Sequence, residues 1–542
     1  MLRLPWCSIQ KFFRLSIKES AMNQELMKLF TVSALAAALA ACGGSDNKSN
    51  DNGGKASYNT SANPSFTFDQ TTYVGAVDPA ATGAMWYEFA MAGSYPATAA
   101  AINTASTAAG TFTPNVTFTP DMSAITPAAD CPSIVGNSLV SVDKASASVV
   151  VDGKTFAVCE VAGTFTADAT LSNDVVWSLK GRVNVGNGNG AQTANTTFDS
   201  AVLTVEAGTV FMNKAGSSLV VTRGSQINAV GTAAQPIVMS GIATTDNFAA
   251  DEEWGGLVLQ GYAYHNKCGD FKTETVCNIP GEGASGFFGG FDNSDSSGTL
   301  KYVIVTEAGL ELDSGDELNG IGFMGVGYGT TIDYIQIHGN KDDGVEFFGG
   351  AVDAKHLVLT GNKDDDIDWD EGYVGNIQYA LVIKYQNQEK ANSNHVFELD
   401  TKGDNVESAY QESNPTVANV TAIVDLSTAD YGNDYIGDGI HLKEGSEGRF
   451  FNILIAGDVD NCVFIKDSNV QSTVAKANNN AIDSAFQNVK CGTIATLSNG
   501  STYTLDNLGT LASVTLNDNL AETAIGAVTA TIASAEVDGT AN

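Results

Sequence analysis

Carboxylates are the residues whose spacing in this chain could do chemistry. The blocks Asp342-Asp343-Gly344-Val345-Glu346 and Asp364-Asp365-Asp366-Ile367-Asp368 stand 22 residues apart, and each follows the same Gly-Asn-Lys. If residues one period apart are stacked, Asp342 lies on Asp364, Asp343 on Asp365 and Glu346 on Asp368. Carboxylates one strand spacing apart repel unless they are protonated or bridged. A hard cation resolves the repulsion, and Ca²⁺ takes roughly six to eight oxygens from carboxylates and carbonyls. The set Asp342, Asp343, Glu346, Asp364, Asp365, Asp366 and Asp368 is therefore the candidate Ca²⁺ site. The plainer alternative is a pair of turns facing water, whose Asp and Asn side chains bond turn amides. The blocks match neither the EF-hand loop nor the Gly-Asp nonapeptide repeat.

Paired carboxylates could also do acid–base work on a sugar. The stretch Gly437-Asp438-Gly439-Ile440-His441-Leu442-Lys443 adds an Asp, a His and a Lys. A Ca²⁺-dependent lyase would need a Lys or Arg base, and Lys341, Lys363 and Lys384 are the basic residues near the blocks. Turn lysines balancing turn aspartates account for them more simply. His265, His338, His356, His395 and His441 show no metal-ligand spacing and read as packing or turn-bonding residues. No nucleophile elbow, P-loop or dinucleotide fingerprint stands in a strand-to-helix context. Trp254, Phe287, Phe288, Phe347, Phe348, Trp369 and Tyr373 could offer a sugar-stacking surface, although strand alternation would divide Phe347 from Phe348.

The elements that must position the acidic blocks are short β-branched runs ending at turns. Examples are Leu203-Thr204-Val205, Leu219-Val220-Val221, Tyr302-Val303-Ile304-Val305 and Tyr334-Ile335-Gln336-Ile337. The repeat extends to the strands themselves, since Ile335-Gln336-Ile337 precedes the first block as Leu357-Val358-Leu359 precedes the second. A period in the low twenties is one coil of a β-solenoid, whose coils must stack to bury their faces. A leucine-rich repeat has a similar period, but its Leu/Asn consensus is absent.

Of the 542 residues, 56 are Gly and only 16% are charged, which suits an all-β protein with many tight turns. The net charge of -35 would repel phosphate backbones and anionic lipid, so nucleic acid is excluded as a partner and polyanions need a bridging cation. From Met27, Lys28 and the apolar run Leu29 to Ala38 lead to Leu39-Ala40-Ala41-Cys42. That stretch resembles the bacterial lipobox, which implies acylation at Cys42, a membrane partner through the N-terminal lipid and, with Gly43 following, outer-membrane delivery. Residues 1–26, with their basic character, are best explained by a start assigned upstream of Met22 or Met27. With Cys7 and Cys42 set aside, the six remaining cysteines pair most simply by proximity as Cys131–Cys159, Cys268–Cys277 and Cys462–Cys491, in an oxidising compartment.

Taken together, Trp177 to Gly186, Leu203 to Gly208, Trp254-Gly255-Gly256-Leu257, Phe288-Gly289-Gly290, the run 342–350 and Asp364 to Tyr373 resemble a group of bacterial surface lipoproteins. That group has right-handed parallel β-helix folds related in architecture to pectate lyases. The expected organisation is an upstream segment and signal peptide (1–41), a lipidated tether (42–64), a small β-rich region (65–170), an all-β parallel β-helix (171–480) and a C-terminal cap or tail (481–542). A short helix is expected in the Ala-rich stretch 97–110. The expected function is a non-enzymatic surface module, stabilised by Ca²⁺, that binds a polysaccharide, a small nutrient or an outer-membrane protein. The alternatives are a Ca²⁺-dependent lyase or hydrolase of acidic polysaccharide and a structural coat.

Overall fold

The computed structural model describes residues 63–90, 120–241 and most of 254–466, with shorter pieces between 484 and 532. The chain divides into residues 1–54 and 55–542, and every described residue belongs to the second unit. Cys42, the expected signal peptide before it and the Ala-rich stretch 97–110 lie outside the described residues.

The described chain is all-β apart from two single-turn 3-10 helices, Trp86–Phe89 and Asn266–Cys268. Its strands form parallel ladders in which each coil pairs with the next. One ladder consists of short strands: Ser218–Val221, Leu257–Gln260, Ile321–Met324, Val345–Phe348, Ile367–Asp370, Phe397–Leu399, Ile440–Leu442 and Val463–Ile465. A second ladder runs through longer strands: Gly298–Thr306, Thr331–His338, Asp353–Thr360, Asn376–Tyr385, Thr416–Asp425, Gly448–Gly457 and Ser484–Cys491.

Each long strand is two strands joined by one left-handed residue. Tyr302, Tyr334, His356, Tyr379, Asn419, Asn452 and Asn488 all have φ between 50° and 65°, a region costly for residues other than Gly and least so for Asn. Here the stack offsets the cost. The rings of Tyr302, Tyr334, His356 and Tyr379 lie 4.4, 4.2 and 4.9 Å apart and nearly parallel, and the Asn488 amide donates to Asn452 at 2.9 Å. The corner gives each coil three sides. Towards the N-terminus the first and second arms are separate strands, such as Gln226–Val230 and Ile237–Gly241, which both pair with Gly298–Thr306. The result is the expected parallel β-helix.

The interior is a continuous apolar column that includes Phe323, Phe347 and Tyr373 stacked at 4.9 and 4.4 Å. The outer face of the second arm is also apolar. Val238, Ile304, Val358, Leu381 and Ile423 are covered by Ala76, Val77, Tyr87 and Phe89 and by Leu520 and Ala521. The segment 63–90 is thus a strap across successive coils: Gly75 N donates to Asn452 O, and the Asn419 amide donates to Thr71 Oγ1.

Three features differ from the expected organisation. The region 65–170 is not separate, because strand Lys154–Phe165 pairs antiparallel with Val140–Val151 but parallel with Val176–Val185, opening the solenoid. Parallel pairing also runs past residue 480, into Ser484–Cys491 and Asp506–Thr510. And Trp254, Trp369 and Tyr373 form no sugar-stacking surface, since all three are fully buried. Phe347 points inward, while Phe348 points outward but is buried with Met324, Val258 and Phe288 of the hairpin Ile279–Gly281/Gly286–Phe288. The disulfides Cys131–Cys159, Cys268–Cys277 and Cys462–Cys491 are all formed.

Candidate metal centre

Alternation along the short strands decides which side chains form the site. In Val345–Phe348 the first and third residues point into the core, so Glu346 points out, and parallel pairing places it beside Asp368, then Glu398, then His441 and finally Phe464. The turn before each strand adds a second row. Gly344 N donates to Asp365 O, Asp366 N to His395 O and Val396 N to Asp438 O, which aligns Asp343, Asp365, His395 and Asp438 on successive coils. Gly344 is a close approach, since a Cβ there would lie 2.6 Å from Asp366 O.

The turn row is knit by its own side chains. Asp343 Oδ1 accepts the N–H of Asp365 at 2.9 Å, and Asp365 Oδ1 accepts the N–H of His395. His395 Nδ1 accepts the N–H of Asp438 at 2.8 Å, and Asp438 Oδ2 meets His441 Nδ1 at 2.8 Å. The alternative of aspartates bonding turn amides therefore holds in part, but these turns do not face water: Asp343 is 7% and Asp365 2% exposed. One oxygen of the Asp343 and Asp365 carboxyls serves the backbone, which leaves the other to meet the neighbouring carboxyls.

Potential ligand atoms converge in three overlapping carboxylate trios, each within 4.8 Å: Asp342, Asp343 and Asp364; Asp343, Glu346 and Asp368; and Asp365, Asp368 and Glu398. Burial, then neighbouring carboxylates, pushes Asp342, Asp343, Glu346, Asp365 and Asp368 well above the ordinary carboxyl range. Asp364 rises to about 7 by burial, which Lys384 opposes. Asp400, buried beside Asp370, is raised as well. Glu398 is the exception. Burial raises it, but the Lys443 ammonium at 2.9 Å more than offsets that and leaves it below its ordinary value. Burial holds His395 down at about 4, so it is neutral.

Residues 163–533 match the model of the pectate-lyase-like β-helix domain family. The chain belongs to that family. No curated protein and no solved structure matches it.

Within this β-helix domain, Asp342, Asp343, Glu346, Asp364, Asp365 and Asp368 come together on adjacent coils as the 22-residue register requires. Asp366 does not join them. Its Oδ1 accepts from the Asn362 amide at 3.0 Å and its Oδ2 pairs with the fully buried Lys384 at 3.2 Å. Glu398, His395, Asp438 and His441 extend the site beyond what the acidic repeat indicated. For Glu398 and His441 the signal was a shared triplet with a polar centre: Val345-Glu346-Phe347, Ile367-Asp368-Trp369, Phe397-Glu398-Leu399 and Ile440-His441-Leu442.

Proposed function

We propose that this pectate-lyase-like β-helix is a Ca²⁺-dependent binding module for an anionic glycan, displayed at the cell surface through a lipid on Cys42. The observation that carries the reading is the buried carboxylate ladder. The first two trios share Asp343 and the last two share Asp368, while the ammonium groups of Lys384 and Lys443 are already paired with Asp366 and with Glu398 and Asp400. Ca²⁺ ions there would neutralise the ladder and keep open positions for a ligand's own carboxylates, the one route by which so acidic a chain can hold a polyanion.

Binding without cleavage fits the state of the basic groups. Lys443 is tied to Glu398 at 2.9 Å and Asp400 at 3.8 Å, and these carboxylates, with Asp368, raise its pKa against the lowering effect of burial. Lys384 is fully buried against Asp366. A lyase base must be able to take a proton from carbon near neutral pH, and neither lysine is placed to do so. The test is retention of the protein on immobilised uronic-acid polymers with Ca²⁺ or with EDTA. Retention with Ca²⁺ only, without unsaturated products, is expected. Equal elution under both conditions removes the binding claim, and product release makes the protein a lyase.

A further inference from the structure

We infer that the outer column carries, at its next rung, a second cation site of different chemistry: a borderline divalent ion of the Zn²⁺ class held by His441 Nε2 and the Glu398 carboxylate. The carboxylate trios offer only oxygen, which suits Ca²⁺, whereas imidazole nitrogen favours ions such as Zn²⁺. One ligand atom from each of His395, Glu398 and His441 lies within 4.8 Å of the others.

Three features point to His441 as the ligand. Its Nδ1 lies 2.8 Å from Asp438 Oδ2, which fixes the ring hydrogen on Nδ1 and leaves the lone pair on Nε2. That Nε2 is buried without a hydrogen-bond partner, on a residue only 7% exposed. A carboxylate holding the far nitrogen of an imidazole is the arrangement by which proteins orient metal-ligating histidines. Asp438 is itself braced, its Oδ1 accepting from the Asn461 amide at 2.7 Å.

His395 has another role. Its Nδ1 accepts the Asp438 N–H, so its Nε2, 3.7 Å from Glu398 Oε1, carries a hydrogen and offers no lone pair to a metal. Lys443 holds Oε2 at 2.9 Å, so Oε1 is the oxygen presented to an ion. Phe464 packs against the His441 ring at 5.1 Å and ends the polar column. Water completes the coordination.

The inference does not depend on Ca²⁺ occupying the trios, and the experiment separates the two. The full chain, without an affinity tag and freed of metal, is titrated with Co²⁺ and followed by its visible ligand-field bands, then with Zn²⁺ in competition. A parallel Ca²⁺ titration uses calorimetry. One equivalent of Co²⁺, displaced by Zn²⁺ but not by excess Ca²⁺, is expected. His441→Ala should abolish the signal, and Asp438→Asn should weaken Zn²⁺ binding about 10-fold or more, both with the Ca²⁺ response unchanged. Absence of Co²⁺ binding to the native chain, or equal binding by folded His441→Ala, overturns the inference. If His441→Ala does not fold, proton NMR of the native chain decides: Zn²⁺ must move the His441 ring resonances and leave those of His338 in place. Loss of Ca²⁺ binding alone sinks the glycan reading and leaves this one standing.

Discussion

Replacing both Asp343 and Asp365 by Asn separates a cation site from a merely acidic turn, because the two accounts predict opposite signs. Each aspartate gives Oδ1 to the backbone N–H of the next coil, to Asp365 N and His395 N. Asn keeps that acceptor and removes only the charge. Without metal, the double variant should therefore melt no lower than the native chain, since two buried, mutually repelling carboxyls have gone. With Ca²⁺ the order should reverse. The trio of Asp342, Asp343 and Asp364 shares no residue with the trio of Asp365, Asp368 and Glu398, so two ions can bind without competing for ligands. An ion at a hundred times its dissociation constant contributes about 2.7 kcal/mol, and two contribute about 5.4 kcal/mol. At about 2.1 cal/mol/K per residue, the matched span 163–533 has an unfolding entropy of roughly 0.8 kcal/mol/K. The expected rise in Tm on adding Ca²⁺ to EDTA-treated protein is then about 7 °C, and the double variant should lose most of it because each trio has lost a charged ligand. Scanning calorimetry in EDTA and in Ca²⁺ measures both numbers. An unchanged native melt refutes the site, and an equal Ca²⁺ shift in the variant refutes these ligands.

Asp353, away from the trios, is raised to about 7 by burial despite hydrogen bonds from Asn376 and Asn63. Its folded pKa lies above the unfolded value, so its stability is fully present below pH 4 and is lost as pH rises towards 7. The loss is about 4 kcal/mol, and Asp353→Asn should remove that slope from urea titrations across the range. Phe347, fully buried between Phe323 and Tyr373, should cost about 3–5 kcal/mol as Phe347→Ala, read from the same titrations. Asn452 sits at φ 56° and its amide donates to Thr71 at 3.0 Å. Asn452→Ala should therefore be more destabilising than Asn452→Gly by about 1 kcal/mol, because only Gly relieves the left-handed strain. An equal cost for the two would place the whole effect in the lost hydrogen bonds.

What could be read from the chain follows from how its coils vary in length. Asp343 to Asp365 is one uninterrupted coil of 22 residues, so the repeat was visible and the stacking followed from it. The next rungs are 30 and 43 residues on, at His395 and Asp438, and no fixed period reaches them. The strands still declare themselves by a polar residue between two core residues, because a ladder in register conserves which face a residue takes, whatever the loop between coils. The same logic explains why the strap was not foreseen. Segment 63–90 carries strand-like alternation from Phe66 to Tyr73 yet forms no strand; the sign of a strap lay in its target, where Leu357-Val358-Leu359 and Ala380-Leu381-Val382 are apolar on both faces. An uninterrupted apolar strand requires a second cover. The corner residues were hidden for a different reason: Tyr has no local preference for left-handed φ, and Tyr302, Tyr334 and Tyr379 are held there with His356 by rings of adjacent coils. Stacking that makes such a corner affordable is also what brings carboxylates to within 4.8 Å of one another. The solenoid that stabilises its aromatic corner by repetition destabilises its acidic face by the same repetition, and the proposed cation would let one geometry satisfy both.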